Sequence, residues 1–397
     1  MKNSLRGCPI CDNGMAEVLH TQRFILPEGH PLADGYDVVC CARCGFVYAD
    51  TAVTQADYDR FYAQFSKYED KKTETGAGEK PWDARRFAAT ANQIAGFLQD
   101  TEASILDLGC ANGGLLKALQ ELGFHNLCGV DPSFVCVENA RRSGIEAHIG
   151  SLFQPLSARR FDCLILSHVL EHIHNLKQAV QSFKPVLADE RTSCVYVEVP
   201  DASRYADHLF APFQDFNTEH INHFSKIGLA KLMQSAGFIV EEGGEKIIES
   251  SPNMPYPALY GFWVKSSQSS LAFTPERDDQ LVANIKIYIS SSRAIMDGIE
   301  TKLQQTLTGS PQVIVWGTGQ LALKLLAETS LAKVQIGAFV DGNPINQGKV
   351  LRGVPILAPE QIRNLPYPIV VTTILHQQEI AEQIRRMGLP NDVVLLA

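Results

Sequence analysis

Residues 105–114 read ILDLGCANGG, and this stretch decides the fold. An apolar run of strand type enters a glycine-rich turn, and the following GLLKALQELG has the apolar spacing of a helix. The backbone amides of such a turn face whatever lies above the end of the strand, and side chains there would block that approach. The sequence therefore predicts a ligand site on a strand–turn–helix unit.

The spacing of this turn distinguishes it from a dinucleotide site. Asp107, Gly109 and Gly113 form D-x-G-x-x-x-G, whereas a pyrophosphate is cradled by G-x-G-x-x-G. Asp131 ends the next predicted strand, 24 residues beyond Asp107, where a carboxylate can accept both hydroxyls of a ribose. We expect a nucleoside ligand with a cationic amino-acid end.

Alternating helical and short apolar runs extend outward from this unit. The predicted helices cover 84–99, 113–123, 133–143, 175–188 and 226–236, and the predicted strands cover 103–109, 126–131, 161–167 and 193–199. A long helical stretch at 275–308 precedes a second alternating unit that begins at 312. Alternation of this kind indicates an α/β fold with parallel, doubly wound sheets.

Composition limits the function classes. The 397 residues carry a formal charge of −9, which argues against broad attraction to nucleic acid. No apolar run approaches the roughly 18 residues of a membrane span, and the start of the chain lacks the apolar core of a secretory signal. We expect a cytoplasmic protein with no nucleic-acid or membrane partner.

Two C-x-x-C pairs lie near the N-terminus, CPIC and CARC, and 29 residues separate them. Their cysteines are Cys8, Cys11, Cys41 and Cys44. Four such thiolates suit a tetrahedral structural Zn²⁺ ion, and this interpretation is favoured over a redox pair or disulfides in a reducing compartment. Cys40 is the alternative fourth ligand, although only Cys41 keeps the C-x-x-C spacing.

The glycine turn and the acidic strand end together resemble the class I S-adenosylmethionine-dependent methyltransferases over about residues 84–245. The resemblance implies that the loop from Gly109 to Gly113 lies under the methionine part of the cofactor and that Asp131 binds the ribose. The implied cofactor residues are Asp107, Gly109, Ala111, Gly113, Asp131, Ser151 and Leu152 beside the adenine, and Ser167 and His168 closing the pocket. A nucleotide fold with a decayed site is the alternative.

Two histidine clusters follow this unit. His168, Glu171 and His172 form H-x-x-E-H, the signature of inverzincin peptidases, but here the motif follows a predicted strand rather than lying inside a long helix. We therefore disfavour a peptidase. In the second cluster, FNTEHINHFS, we expect Ser225 to cap the helix at 226–236 and His223 to be structural.

Taken together, the cysteine quartet, the EH run and the ending FVDGNPINQGKVLRGVPI resemble the sugar C-methyltransferases that act on nucleotide-linked keto-deoxysugars. This resemblance covers nearly the whole chain in the same order. It implies an N-terminal zinc domain with a substrate lid at 1–75, a methyltransferase domain at 76–265, a helical connector at 266–310 and a Rossmann-like domain at 311–397. The last domain would help to hold the nucleotide sugar.

The resemblance also implies a catalytic set. His220 is the predicted base or proton relay, Glu219 orients it, and His172 polarises the substrate oxygen. The family usually has Tyr two residues before that Glu, where this chain has Asn217. Asn is not a base, so O-methylation of a saccharide or natural product stays open, as does a non-catalytic scaffold. Tyr62 and Tyr68 are candidates for lining the pocket, with simple packing favoured.

The last α/β unit has a second glycine turn. Gly317 and Gly319 follow a predicted strand, and Asp341 ends the next one, a pattern that by itself suggests a dinucleotide site. The unit is short for both mononucleotide halves and offers no evident hydride-transfer residues. Holding a nucleotide sugar is therefore favoured over an NAD-dependent oxidoreductase.

Overall fold

A computed structural model describes most of the chain. The described residues are 1–64, 80–153, 156, 159–188, 193–266, 276–309 and 312–396. Tyr68 lies outside them, as do most of residues 69–80, EDKKTETGAGEK, whose charge, threonine and glycine content predicts a linker or lid.

Helices and strands alternate along the chain after an N-terminal group of strands. The strands are β1 (Lys2–Asn3), β2 (Met15–Arg23), β3 (Gly35–Cys41), β4 (Val47–Asp50), β5 (Ile105–Leu108), β6 (Leu127–Asp131), β7 (Glu146–Ile149), β8 (Cys163–Ser167), β9 (Cys194–Pro200), β10 (Asn222–His223), β11 (Phe238–Ser251), β12 (Met254–Lys265), β13 (Gln312–Trp316), β14 (Gln335–Val340), β15 (Val350–Leu351), β16 (Val354–Leu357), β17 (Ile369–Val371) and β18 (Val393–Leu395). The helices are α1 (Gln55–Gln64), α2 (Pro81–Leu98), α3 (Gly114–Glu121), α4 (Phe134–Arg142), α5 (Leu176–Gln181), α6 (Lys226–Ser235), α7 (Asp279–Leu307), α8 (Gln320–Glu328) and α9 (Gln377–Arg386).

The chain forms two compact units. The first contains Met1–Glu17, Val39–His208 and Glu219–Asn284, and the second contains Val18–Val38, Leu209–Thr218 and Ile285–Ala397. The four-part division expected from the sequence stays a prediction.

A seven-stranded sheet organises the first unit, in the order β11-β12-β9-β8-β5-β6-β7. Strand β5 pairs in parallel with both β6 and β8, so the crossovers leave it in opposite directions. Ligands of open α/β sheets bind at such a reversal, beyond the carboxyl ends of the strands. The α/β fold and the Rossmann-like sheet predicted from the alternation are therefore confirmed, and the sheet places the predicted loop at its switch point.

Both faces of this sheet are buried. Successive residues of β5 alternate between two apolar clusters, with Ile105 in one and Leu106 and Leu108 in the other. Such two-sided burial is why parallel strands read as continuous apolar runs rather than alternating ones. Five further cysteines, expected to be small buried side chains, are indeed buried: Cys110, Cys128, Cys136, Cys163 and Cys194.

Strand β12 is the antiparallel insert between β9 and β11, although its sequence is rich in proline. Pro255 and Pro257 pair only with β11, and the pairing with β9 begins at Ala258. Since proline cannot donate a hydrogen bond, both prolines lie where one side of the strand has no neighbouring strand. The stretch from Ala258 onward can therefore pair on both sides.

Two expectations were wrong in detail. The helix predicted at 175–188 ends at Gln181, because the chain then turns, with Ser182 N donating to Ala179 O, and reaches Pro185, which cannot continue a helix. The N-terminal segment, whose sequence is rich in turn residues and poor in apolar ones, nevertheless contains four strands, and β10 joins them in the sheet order β1-β2-β3-β4-β10.

The second unit is built on a six-stranded sheet, in the order β15-β16-β14-β13-β17-β18. Strand β13 lies between β14 and β17 and is parallel to both. Its core includes Ile314, Trp316 and Ile384. Among the helices that the structure describes, none combines the length and apolarity needed to cross a bilayer.

Candidate functional site

The loop after β5 has the backbone that its glycines predict. Gly109 and Gly113 adopt φ of 87° and 80°, and Ala111 between them also has a positive φ, of 45°. A Cβ atom added at Gly109 would lie 2.8 Å from Cγ2 of Val169, which follows β8. Glycine is therefore required at residue 109 both by conformation and by space.

Asp131 is tied to this loop. Its Oδ2 accepts the N–H of Ala111 at 2.9 Å, and its Oδ1 accepts the N–H of Ser133 at 2.9 Å. Ser133 in turn caps α4 by accepting the N–H of Cys136. The carboxylate predicted to bind a ribose thus has a fixed orientation at the end of β6.

Asp107 is buried inside the sheet below the loop. Burial, together with the nearby charge of Asp131, raises the pKa of its carboxyl to about 7. A carboxylic acid in this state can either donate or accept a hydrogen bond near neutral pH.

The remaining predicted cofactor residues lie at the carboxyl end of the same sheet. Ser151 and Leu152 follow β7, and Ser167 ends β8. Phe134, which the sequence analysis did not single out, begins α4 and is 61% exposed. An exposed aromatic ring three residues after the acidic strand end is the signal that could have identified it as a surface for a flat base.

His168, predicted to close the pocket, is in a left-handed conformation with φ of 56°. Its Nδ1 lies 3.2 Å from Oε1 of Glu171, and its Nε2 lies 3.0 Å from Oε1 of Glu198. Burial lowers the pKa of His168, but the hydrogen bonds to the two glutamates outweigh burial and raise it to about 8. Both ring nitrogens are therefore engaged by protein carboxylates.

The partners of Glu198 were not predicted from the sequence. The ammonium of Lys246 forms an ion pair with Oε2 of Glu198, and Tyr196 Oη donates to the same oxygen at 2.6 Å. Although burial alone would raise it, the pKa of Glu198 is lowered by Lys246 and His168. The signal was available, because VYVEVP places one glutamate inside an otherwise apolar strand.

The predicted catalytic histidines are neighbours. The rings of His172 and His220 meet edge to face with centroids 4.9 Å apart, and the Tyr62 ring meets His172 at 5.7 Å. His172 Nδ1 lies 3.1 Å from the carbonyl oxygen of Glu219, so that carbonyl accepts the Nδ1 proton. Ligand atoms of Glu171, His172 and His220 all lie within 4.8 Å of one another.

Arg6 holds the two histidine-bearing segments together. Its buried guanidinium donates to the carbonyl oxygens of Ile173 and Ile221 and, at 2.9 Å, to Oδ1 of Asn222. Burial lowers the pKa of Arg6 to about 10. The sequence offered no pattern from which this long-range contact could be predicted.

Asn217 falls in the second unit. Its carbonyl oxygen accepts the hydroxyl proton of Tyr36 at 2.8 Å, and its Nδ2 donates to Gln214 O at 3.3 Å.

The expectations for two nearby residues are confirmed: Ser225 Oγ accepts the N–H of Gly228 at the start of α6, and His223 is fully buried.

Comparison with known proteins identifies the domain that contains this loop. The family model described as "Methyltransferase domain" matches residues 82–242. These residues form a methyltransferase domain. The match indicates a methyltransferase enzyme, and the binding of S-adenosylmethionine stays a prediction.

Further comparisons cover parts of the chain. A second family model, described as "C2185-like, N-terminal", matches residues 309–395. A search of the curated proteins finds no match.

Three solved structures illustrate the similarity. They are a protein from Pyrococcus horikoshii (19% identity, 49% of this chain and 95% of the other, TM-score 0.39), a methyltransferase from Methanosarcina mazei (14%, 44% and 98%, 0.38) and magnesium protoporphyrin IX methyltransferase from Synechocystis (16%, 45% and 83%, 0.36).

The four predicted zinc ligands of this methyltransferase come together. The sulfurs of Cys8, Cys11, Cys41 and Cys44 lie within 4.8 Å of one another. The Cys8–Cys44 and Cys11–Cys41 sulfur pairs are 3.6 and 3.5 Å apart. Cys40 instead directs its sulfur to the carbonyl oxygens of Cys41 and Gly45.

Asp341 accepts hydrogen bonds at the second glycine turn, in the second unit. Asp341 accepts the N–H of Thr318 at 3.1 Å and Nδ2 of Asn346 at 3.1 Å. A cavity of about 210 Å³ lies at the carboxyl ends of β13 and β17, lined partly by Gly317 and Lys324. Nucleotide-sugar binding by this unit stays a prediction.

Proposed function

We propose that this methyltransferase methylates a carbon atom beside the ketone of a nucleotide-linked keto-deoxysugar. The observation that carries the proposal is the His172–His220 pair, with ring centroids 4.9 Å apart just beyond the end of β8. Val169, between β8 and His172, lies against Gly109 of the cofactor loop. Two imidazoles beside a methyl-donor loop supply the acid–base groups that C-methylation needs.

The tautomer of His172 supports a proton-transfer role. Because the Glu219 carbonyl accepts the Nδ1 proton, neutral His172 carries its lone pair on Nε2. His220 removes the proton from the substrate carbon and passes it to Nε2 of His172, and the protonated His172 then donates this N–H to the enolate oxygen. S-adenosylmethionine supplies the methyl group, which is attacked by the electron pair left on the carbon.

A structural Zn²⁺ ion is part of the proposal. Tetrahedral coordination with Zn–S bonds of about 2.3 Å requires sulfurs separated by about 3.8 Å. The separations of 3.5 and 3.6 Å fit this requirement. The N–H of Cys44 and Nδ2 of Asn13 both donate toward the Cys41 sulfur, as expected around a thiolate. The four cysteines would hold the ion and fix the N-terminal strands.

O-methylation is the second candidate, and Asn217 is the observation that favours it. Methylation of a hydroxyl group forms no enolate, so an O-methyltransferase needs only one base to remove the hydroxyl proton as the oxygen attacks the methyl group. A chain with Asn in place of the family's Tyr retains His220 for that purpose. The third candidate, a scaffold without catalysis, predicts no methyl transfer to any acceptor.

The deciding experiment uses thymidine-diphosphate 4-keto-6-deoxyglucose as the probe in deuterium oxide with S-adenosylhomocysteine. C-methylation predicts exchange of the proton beside the ketone, and with S-adenosylmethionine a product 14 mass units heavier. His220→Asn should abolish both, whereas His125→Asn, on an exposed residue, should alter neither. Methylation without exchange would favour O-methylation, and absence of both would reject the proposal.

A further inference from the structure

We propose that Glu171 is a positioning residue for proton transfer, linking the His172–His220 pair to a buried ionic chain formed by His168, Glu198 and Lys246. The inference rests on the proposed function, because it concerns the proton that C-methylation removes. It assigns a role to a glutamate that lies between His168, at one end of the ionic chain, and His172 of the histidine pair.

His168 lies on one side of Glu171 and contacts its carboxylate. Both of its ring nitrogens lie within hydrogen-bond distance of a carboxylate oxygen, at 3.2 Å from Glu171 and 3.0 Å from Glu198. A neutral imidazole has only one N–H, so it can satisfy only one of these acceptors. The geometry therefore corresponds to an imidazolium held between two carboxylates. The raised pKa of His168, about 8, agrees with this state.

Glu198 and Lys246, at the far end of the ionic chain from Glu171, are held by several hydrogen bonds. Glu198 is 1% exposed and receives the Lys246 ammonium and the Tyr196 hydroxyl on Oε2. Lys246 also donates to Thr90 Oγ1 and Gln93 Oε1, both at 3.2 Å. A carboxylate with this many donors remains ionised. His168 is consequently anchored on the Glu198 side, and Glu171 is the end that faces the reaction.

Glu171 also faces His172. Its Oε1 lies 3.9 Å from Nε2 of His172, the nitrogen that carries the lone pair in the neutral ring. Its Oε2 is buried, and no hydrogen-bond partner for this atom is found among the described residues. A proton arriving at the histidine pair therefore places positive charge beside a carboxylate that already has spare acceptor capacity.

The charges balance through the reaction. Glu171 and Glu198 offset His168 and Lys246 before the reaction. When a C–H bond of the substrate breaks, its electron pair stays on the substrate as the enolate and the proton passes to the histidine pair. The enolate carbon then forms the new C–C bond as the S–C bond breaks, and the proton remains on the histidines beside Glu171 until it is released.

Several titratable groups face this cluster. They are His168 and His172 on the turn after β8, Glu198 and Tyr196 on β9, Lys246 on β11, Glu219 and His220 before β10, and Tyr62 on α1. A substitution at Glu171 alters the link between the His172–His220 pair and the ionic chain, and it leaves every imidazole in place.

The test compares Glu171→Gln, Glu171→Asp and the exposed control Glu242→Gln. Nuclear magnetic resonance titration of the protein bound to S-adenosylhomocysteine should place the His168 midpoint near 8 and should lower it by about 1 unit in Glu171→Gln. With the keto-sugar probe, Glu171→Gln should reduce kcat by about 100-fold and change its pH profile. Glu171→Asp should recover part of the rate.

The outcomes separate this inference from the proposed function. Binding of S-adenosylhomocysteine within about threefold of wild type shows that each variant is folded. An unchanged pH profile and an unchanged His168 midpoint in Glu171→Gln would overturn the role of Glu171. A wild-type protein that neither exchanges nor methylates the probe would reject the proposed function, and the His168 midpoint would then decide the role of Glu171 by itself.

Discussion

The Oδ2 atom of Asp131 accepts a hydrogen bond from the backbone N–H of Ala111, 2.9 Å away. One carboxylate thus serves two purposes, because it orients the glycine loop and also presents a charge at the end of β6. Because Asp131 has both roles, we expect its substitution to weaken cofactor binding more than the loss of either role alone would.

Asp131→Ala should weaken S-adenosylmethionine binding by about 100-fold or more, because it removes a charged acceptor and loosens the loop. Calorimetric titration with S-adenosylmethionine and S-adenosylhomocysteine measures the change. Glu138→Ala is the control and should bind normally, because this half-buried residue of α4 pairs with Arg141 on the same helix. An affinity for the Asp131 variant within twofold of wild type would contradict the assignment.

Gly109→Ala should destabilise the fold by about 1–3 kcal/mol, because it combines a left-handed backbone with a Cβ placed 2.8 Å from Val169. Gly144→Ala is a matched control, since Gly144 has a similar φ of 82° but open space around it. Urea unfolding should show a smaller loss for Gly144→Ala. Adding Val169→Ala to Gly109→Ala should recover part of the difference; an equal loss at both glycines would show that the clash has no effect.

Cys44→Ser should remove bound zinc and lower the unfolding temperature, because the remaining three sulfurs no longer form a closed tetrahedral site. Metal analysis of the purified protein measures the zinc content. Cys40→Ser should keep about one zinc per chain, because the Cys40 sulfur faces backbone carbonyls rather than the cluster. Loss of zinc in the Cys40 variant but not in the Cys44 variant would reassign the fourth ligand.

His168 should make stability pH-dependent. Its pKa is raised in the folded protein from 6.5 to about 8, so its stabilising contribution is fully present below about 6.5 and is lost as the pH rises through 8. The loss corresponds to about 2 kcal/mol for 1.5 pKa units. The difference in free energy of unfolding between wild type and His168→Asn should therefore shrink by about this amount from pH 6 to pH 9. Parallel curves would show that His168 is not held as an imidazolium.

The central sheet was predictable because its signals are local. In ILDLG and in the strand that ends at Asp131, the apolar runs, the glycine and the acidic end each constrain only a few neighbouring residues. Strands β5 and β6 form where these signals predict them. Helix α5 was predicted too long because apolar spacing continues past Gln181 while the backbone turns before Pro185. Short-range patterns locate elements well and their ends less well.

The supporting contacts of the site were not predictable from spacing. Lys246 and Glu198 are 48 residues apart and meet across β12, which lies between β9 and β11 in the sheet. Arg6 is likewise far in sequence from the groups that its guanidinium contacts, which lie beyond residue 170. A single sequence carries no record of which distant charges pair, although a lone glutamate in an apolar strand shows that a partner must exist.

The Arg6 contacts also determine when the site can assemble during synthesis. The ribosome releases Arg6 and the cysteine-rich strands first, but the carbonyl groups that accept the guanidinium emerge only with residues 173–222. Until then, a charged side chain destined for complete burial and a row of apolar strands remain exposed to other chains. Expression conditions that slow elongation or limit metal should therefore reduce the yield of folded protein more than they reduce the activity of the molecules that fold.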